Sequence, residues 1–173
     1  MPPSKARARY TFVQEFDAPR DFVFRWCTDY SGDDGTLSRE GYDRWVLFRS
    51  KHEVVFEDLG RSPGGWQWRR YTVKLRPPDR WEALSVGNYR CWKLAYRLHD
   101  LPGGRTRMTL KGVRTPGPVG APNPSKRAME ADLRKLWGNF SRALEGDYRD
   151  QERGGPRPTA RTGRPSFPRK GRN

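Results

Sequence analysis

The sequence predicts an α+β domain in which a curved antiparallel sheet of about six or seven strands wraps around a long C-terminal helix. Two observations carry this prediction. From residue 42 to residue 114, apolar and polar residues alternate in short runs that are separated by turn-forming residues. After residue 125 the apolar residues recur at spacings of three and four, which is typical of an amphipathic helix. A chain of 173 residues is long enough for one such domain to bury its own core.

The first predicted elements are a strand and a short helix. Residues 10–16 alternate in polarity as a strand does. Pro19 suits a first helical turn and the aspartates on either side suit a helix cap, so we expect a short helix that includes the apolar run 22–27. The turn-forming residues 29–35 then predict a loop.

The middle of the chain has the spacing of an antiparallel meander. Each run is short and rich in β-branched or aromatic residues, and it is bounded by Pro, Gly, Asn or Asp. The predicted strands are residues 45–48, 51–58, 66–76, 81–86, 90–98 and 105–114.

The direction of the side chains is ambiguous at Arg69 and Arg70, in the middle of the longest strand candidate. A bulge there would place the two tryptophans of this strand and Tyr71 on one face. It would also turn both arginines to the solvent, where a charge costs least. We therefore expect a bulge; if these strands instead turn them inward, Arg70 or Lys93 could bind a ligand carboxylate.

The long helix is predicted to follow the Pro-rich segment 116–124. Ser125 is the expected N-cap, and the apolar pattern continues for roughly 25 residues. One side of this helix carries basic residues, whereas the other side forms an apolar stripe of Met129, Leu133, Leu136, Trp137, Phe140 and Leu144.

The formal net charge of +15 is unevenly distributed along the chain. All 20 acidic residues lie at or before Glu152, so the end of the chain is purely basic. We therefore expect a basic flexible N-terminus of residues 1–8, one ligand-binding domain of residues 9–150, and a disordered tail of residues 151–173 that is rich in Gly, Pro and Arg. Residues 154–173 could contact nucleic acid or an acidic partner weakly and non-specifically.

Cys27 and Cys91 lie in apolar stretches without the spacing of a metal site or a disulfide framework. They predict reduced thiols, no metal site and no cofactor. No stretch approaches about 18 uninterrupted apolar residues, and the N-terminus lacks the apolar region of a signal peptide. The sequence therefore predicts a cytoplasmic protein without a membrane span.

The order of strand, short helix, meander and long helix resembles the START-related, Bet v 1-like (SRPBCC) superfamily, which includes polyketide cyclases and lipid-transfer domains. Residues 18–29, APRDFVFRWCTD, are similar to the opening of the first helix in that family. The resemblance covers about residues 8–150. It implies the helix-grip fold, with a cavity between the concave sheet and the helix that holds a lipid, a polyketide or another hydrophobic molecule. It implies no universal catalytic motif.

Our first functional hypothesis is the binding or transfer of such a hydrophobic small molecule. Seven tryptophans are many for this length, and aromatic walls suit a flat or lipid-like ligand. The residues expected to line the cavity are Trp68, Tyr71, Trp92, Tyr96, Met108, Leu110, Met129, Leu133, Trp137 and Phe140.

Two alternatives remain. The first is an enzyme of the cyclase or dehydratase type, which would need a proton-transferring group in the cavity. His52, on the predicted face of Val54 and Phe56, is the candidate, with Tyr71 or Tyr96 as a partner; His99 is expected in a turn. The second is a nucleic-acid-associated protein that binds through its basic tail, although the chain carries no nucleic-acid-binding motif.

Overall fold

The computed structural model describes residues 7–62, 64–119 and 123–154. They form one curved antiparallel sheet of seven strands and a long C-terminal helix, which confirms the predicted α+β helix-grip arrangement. The elements are β1 (Ala8–Phe16), α1 (Arg20–Cys27), α2 (Asp34–Leu37), β2 (Tyr42–Arg49), β3 (Glu53–Ser62), β4 (Gly65–Arg76), β5 (Arg80–Gly87), β6 (Arg90–Leu101), β7 (Arg105–Pro116) and α3 (Lys126–Glu152).

The sheet is a meander that the first strand completes. Its strand order is β1-β7-β6-β5-β4-β3-β2, and every neighbouring pair is antiparallel. Because β1 and β2 lie at opposite edges, residues 17–41 must pass from one edge to the other, and they carry α1 and α2 on the way. Both short helices therefore border the same side of the sheet as α3.

Helix α3 begins where the sequence predicts, because the Ser125 hydroxyl accepts a hydrogen bond from the backbone N–H of Ala128 at 3.2 Å. Its predicted stripe faces the sheet: Trp137 makes edge contacts with Phe16 of β1 and Tyr96 of β6. Four members of the stripe are buried, namely Met129, Leu133, Trp137 and Leu144. The helix continues to Glu152, two residues beyond the predicted end of the domain, while residues 1–6 and 155–173 lie outside the described residues.

The predicted loop 29–35 is partly wrong, since α2 begins inside it at Asp34. This helix is a single turn, in which the Asp33 carbonyl accepts hydrogen bonds from the N–H groups of Thr36 and Leu37. Gly35 is buried against β2, because a Cβ at this position would lie 1.9 Å from the carbonyl oxygen of Tyr42. One helical turn made of turn-forming residues cannot be told from a loop by its composition.

The predicted bulge at Arg69 and Arg70 is wrong. β4 pairs in continuous register with β3 from Gly65 to Lys74, and with β5 from Arg69 to Arg76. Arg69 consequently faces the inside of the sheet, whereas Arg70 and Trp68 face outward. The irregularity in this half of the sheet lies in β2, between Val46 and Phe48.

Both histidine placements are also wrong. His52 is exposed in the turn before β3, where the Ser50 hydroxyl accepts hydrogen bonds from the N–H groups of His52 and Glu53. His99 lies within β6 rather than in a turn, because β6 extends to Leu101 and pairs there with β7. Its side chain is exposed.

No helix among the described residues has the length and apolar character that crossing a membrane requires.

Candidate functional site

A cavity of about 440 Å³ lies between the inner face of the sheet and α3. Exposed and buried residues alternate along β5, so Trp81 and Ala83 both face inward. The small side chain of Ala83 helps to leave this space open. Ala83 pairs across the sheet with Leu94 of β6, which also lines the cavity. A small residue at this point leaves space beneath α3 that a larger one would fill.

Aromatic rings form the walls of one end of the cavity. The rings of Trp81 and Tyr96 are stacked, with centroids 4.6 Å apart and an angle of 7° between the planes. Trp137 of α3 meets Tyr96 edge-on at 6.0 Å and Phe140 at 5.6 Å. Phe140 in turn contacts Trp26 of α1, with 6.0 Å between the centroids. These contacts give this end rigid, largely apolar walls.

Most of the residues expected to line the cavity lie there, but two do not. Trp68 lies on the outer face of the sheet with 37% of its surface exposed, because β4 has no bulge. Met108 is fully buried in the core opposite Leu98 of β6 and does not reach the cavity. Those in the cavity wall are Tyr71, Trp92, Tyr96, Leu110, Met129, Leu133, Trp137 and Phe140.

The three catalytic candidates do not come together. His52 is outside the sheet, so it cannot act in the cavity with either tyrosine. Tyr71 stacks on Phe56 with 4.8 Å between the centroids, and Tyr96 stacks on Trp81. Burial raises the pKa of Tyr96 well above its usual value, so its hydroxyl stays protonated at neutral pH.

A buried ionic cluster in the cavity wall was not predicted from the sequence; it is formed by Arg44, Asp34 and Asp58. Arg44 donates from Nε and Nη2 to the two oxygens of Asp58, at 2.7 and 3.0 Å. It also donates from Nη1 to Asp34, and its guanidinium carbon lies 4.0 Å from the centroid of the Phe56 ring. Two carboxylates therefore share one buried cation.

Burial is the main reason that the pKa of Asp34 rises from 3.8 to about 7. Arg44 opposes this rise, while Asp29, Asp33 and Asp58 add to it because each places a second negative charge nearby. The pKa of Arg44 is raised: burial disfavours its charge, but Tyr42, Asp58 and Asp34 outweigh that effect. The single positive charge of Arg44 is therefore matched by a single negative charge when one of the two carboxylates carries a proton.

This pKa has a measurable consequence for stability. Because folded Asp34 keeps its proton to a higher pH than the unfolded chain does, its contribution is complete below about pH 4 and is lost as the pH rises through about 7. Each pH unit between the two pKa values is worth about 1.4 kcal/mol, so the total is on the order of 4 kcal/mol. The variant Asp34→Asn keeps an oxygen for Arg44 but cannot titrate. We expect it to abolish this decline in the free energy of unfolding, as measured by urea unfolding between about pH 4 and about pH 7. An unchanged pH profile in the variant would contradict the assignment.

A second group that the sequence analysis missed is the arginine cluster, which we define as Arg69, Arg90 and Arg114. They come from β4, β6 and β7, and all three line the end of the cavity away from Trp81. Arg69 is 9% exposed and Arg114 is 8% exposed. Arg70 and Lys93, which were considered as carboxylate ligands, are exposed on the outer face instead. The sequence pattern did indicate that Arg69 faces inward. Tyr71, Val73 and Leu75 face inward, and simple alternation along the strand places Arg69 on the same face.

No protein-family model matches the chain, and no curated protein matches its sequence. Solved structures do match. The Zhui aromatase/cyclase from Streptomyces sp. R1128 has a TM-score of 0.65 at 15% identity, over 87% of this chain and 100% of that one. A START superfamily protein from Mycobacterium smegmatis has a TM-score of 0.57 at 12% identity, over 83% and 98% of the two chains. Ara h 8.0201 has a TM-score of 0.60 at 12% identity, over 82% and 97%. These matches confirm the START-like, Bet v 1-like helix-grip fold.

Proposed function

We propose that this chain binds or transfers a hydrophobic small molecule, such as a lipid, a polyketide or an aromatic compound, in the cavity beneath α3. The observation that carries the proposal is the aromatic-walled space of about 440 Å³ in the middle of the fold. Cavities that hold small ligands typically measure about 300–1,000 Å³ and combine apolar walls with a few polar groups. The likeness to an aromatase/cyclase and to a START superfamily protein supports the same use of the space.

The ring arrangement favours a flat or extended apolar ligand. The stacked Trp81 and Tyr96 present a continuous wall, and Trp137 faces it from α3. Because these rings are held by their contacts with one another, little side-chain entropy remains to be lost when a ligand binds. Apolar contact with rigid walls therefore supplies the affinity.

The experiment is a titration with N-phenyl-1-naphthylamine, an uncharged aromatic probe whose fluorescence rises in apolar sites. We expect saturable binding of one molecule per chain, displacement by excess lauryl alcohol, and a rise in melting temperature with probe concentration, since the probe binds only the folded state. A linear, non-saturable response with no change in melting temperature would contradict the proposal.

A cyclase or dehydratase is the second candidate, and Asp34 is the observation that favours it. A carboxyl group with a pKa of about 7 in the cavity wall has the protonation equilibrium that general acid–base catalysis uses. This role predicts that Asp34→Asn keeps the affinity for N-phenyl-1-naphthylamine but loses turnover of a bound poly-β-ketone. Equal turnover by the variant would eliminate Asp34 as the acid or base.

A further inference from the structure

The arginine cluster has few hydrogen-bond acceptors among the described residues. The Nε atoms of Arg69 and Arg90 are buried and have no hydrogen-bond partner among the described residues. The nearest carboxylate to Arg69 is Glu40, and 3.9 Å separates Nη2 from its oxygen. Arg114 donates from Nη1 to the amide oxygen of Asn123 at 2.5 Å, which supplies an acceptor but no negative charge.

Aromatic rings hold the three guanidinium groups in one place. The guanidinium carbons of Arg90 and Arg114 each lie 5.8 Å from the centroid of Trp92. That of Arg69 lies 5.6 Å from the ring of Tyr42 and 5.9 Å from that of Tyr71. Such contacts attract the positive charge, but ring faces offer no acceptor to the N–H groups at the guanidinium edge. The Nε–H groups of Arg69 and Arg90 therefore remain without an acceptor among the described residues.

The positive charges also act on one another. Burial lowers the pKa of Arg90, and Arg69 and Arg114 lower it further. Among the described residues, six cationic and four acidic side chains line the cavity, and two of those acids, Asp34 and Asp58, are already bound to Arg44. The cluster thus carries more positive charge than nearby carboxylates offset, because among the described residues only its Arg69 has an ion pair with a carboxylate, that of Glu40.

The fold makes specific room for this arrangement. Gly87 of β5 lies opposite Arg69, and a Cβ there would come within 2.9 Å of Arg69 Cγ and 2.6 Å of the Trp68 carbonyl oxygen. A residue without a side chain lets the stem of Arg69 lie flat against the sheet and extend its guanidinium into the cavity. Buried cations without acceptors are unfavourable in an empty site, because desolvation is not offset by a partner.

We propose that the ligand of this cavity carries an anionic group, a carboxylate or a sulfonate-like oxyanion, that binds the arginine cluster. Its hydrophobic body then lies against the aromatic wall that Tyr96, Trp137 and Phe140 form. Arginine suits this role because its planar fork of N–H donors matches the oxygens of such a group. The inference rests on the proposed function and narrows it from hydrophobic molecules in general to amphipathic anions.

Two probes with the same skeleton test this inference on the full chain. 1-Anilinonaphthalene-8-sulfonate differs from N-phenyl-1-naphthylamine only by its sulfonate. We expect the sulfonate probe to bind at least about tenfold more tightly to the unsubstituted protein. Laurate should likewise displace either probe at lower concentration than lauryl alcohol, which carries the same chain without the charge.

Adjacent residues on β4 supply matched variants. Arg69→Gln removes a charge from the cavity, whereas Arg70→Gln removes one from the outer face, where Arg70 is paired with Glu57. We expect Arg69→Gln to abolish the advantage of the sulfonate probe while the affinity for the uncharged probe is kept. Arg70→Gln should change neither affinity. Arg90→Gln provides a second removal from the cluster if the first variant does not fold.

The outcomes separate this inference from the proposed function. Binding of the uncharged probe without a sulfonate advantage overturns the anion site and leaves the proposed function standing. An advantage that survives in both Arg69→Gln and Arg90→Gln also overturns it. Binding of neither probe to the unsubstituted protein contradicts the proposed function and this inference with it.

Discussion

Replacing Arg44 with methionine is expected to lower the free energy of unfolding by about 3–5 kcal/mol at neutral pH. The change keeps an apolar side chain over the Phe56 ring but removes the cation that Asp34 and Asp58 share. Asp34 and Asp58 are then left buried without the cation that both of them bind. At about pH 4 the loss should be smaller, because Asp34, whose pKa is about 7, is then protonated and needs no counterion.

Urea unfolding at both pH values measures this difference. The matched control is Arg76→Met, which makes the same change at an exposed position at the end of β4 and should alter stability by less than about 0.5 kcal/mol at either pH. An equal loss for Arg44→Met at both pH values would show that packing, not charge, explains the effect. A loss as small as that of the control would contradict the buried cluster.

The architecture could be predicted from the sequence because two periods, of two and of about four, are sufficient to define a sheet and a covering helix. The cap at Ser125 and the position of Leu110 in the cavity wall followed from the same patterns. These patterns did not show at which residue each strand begins and ends. His52 was placed in a strand because the alternation of Val54 and Phe56 extends back to it, whereas the Ser50 hydroxyl bonds the backbone there into a turn.

The apolar half of the site was predictable and the charged half was not, for a physical reason. The cost of burying charge argues for turning Arg69 to the solvent, and a bulge was inferred to achieve that. Extending the alternation without this correction would have placed Asp58 beside Phe56, Arg69 beside Tyr71 and Arg114 beyond Leu110. A buried charge that breaks the general rule is more informative about a functional site than one that obeys it.

Filling the cavity is the second change with a large expected effect. Ala83→Trp places an indole in the space beneath α3, because Ala83 faces inward and lines the cavity. We expect the affinity for N-phenyl-1-naphthylamine to fall by at least about tenfold. The next residue supplies the control, since Leu84 faces outward with 57% of its surface exposed, and Leu84→Trp adds the same group to the opposite face of the same strand.

Overpacking a closed core typically costs about 1–3 kcal/mol, whereas a cavity of this size can take the new ring at little cost. The free energy of unfolding of Ala83→Trp therefore shows whether the variant remains folded. A small loss relative to the unsubstituted chain indicates that the space was open. A variant that binds weakly because it is unfolded is recognised by its melting transition.

The most direct test of the ligand cavity is calorimetric titration of N-phenyl-1-naphthylamine into the folded Ala83→Trp and Leu84→Trp variants, side by side with the unsubstituted chain. If the cavity beneath α3 is the binding site, Ala83→Trp loses the binding isotherm and Leu84→Trp retains it unchanged. If Ala83→Trp binds the probe as tightly as Leu84→Trp does, the ligand does not occupy this cavity.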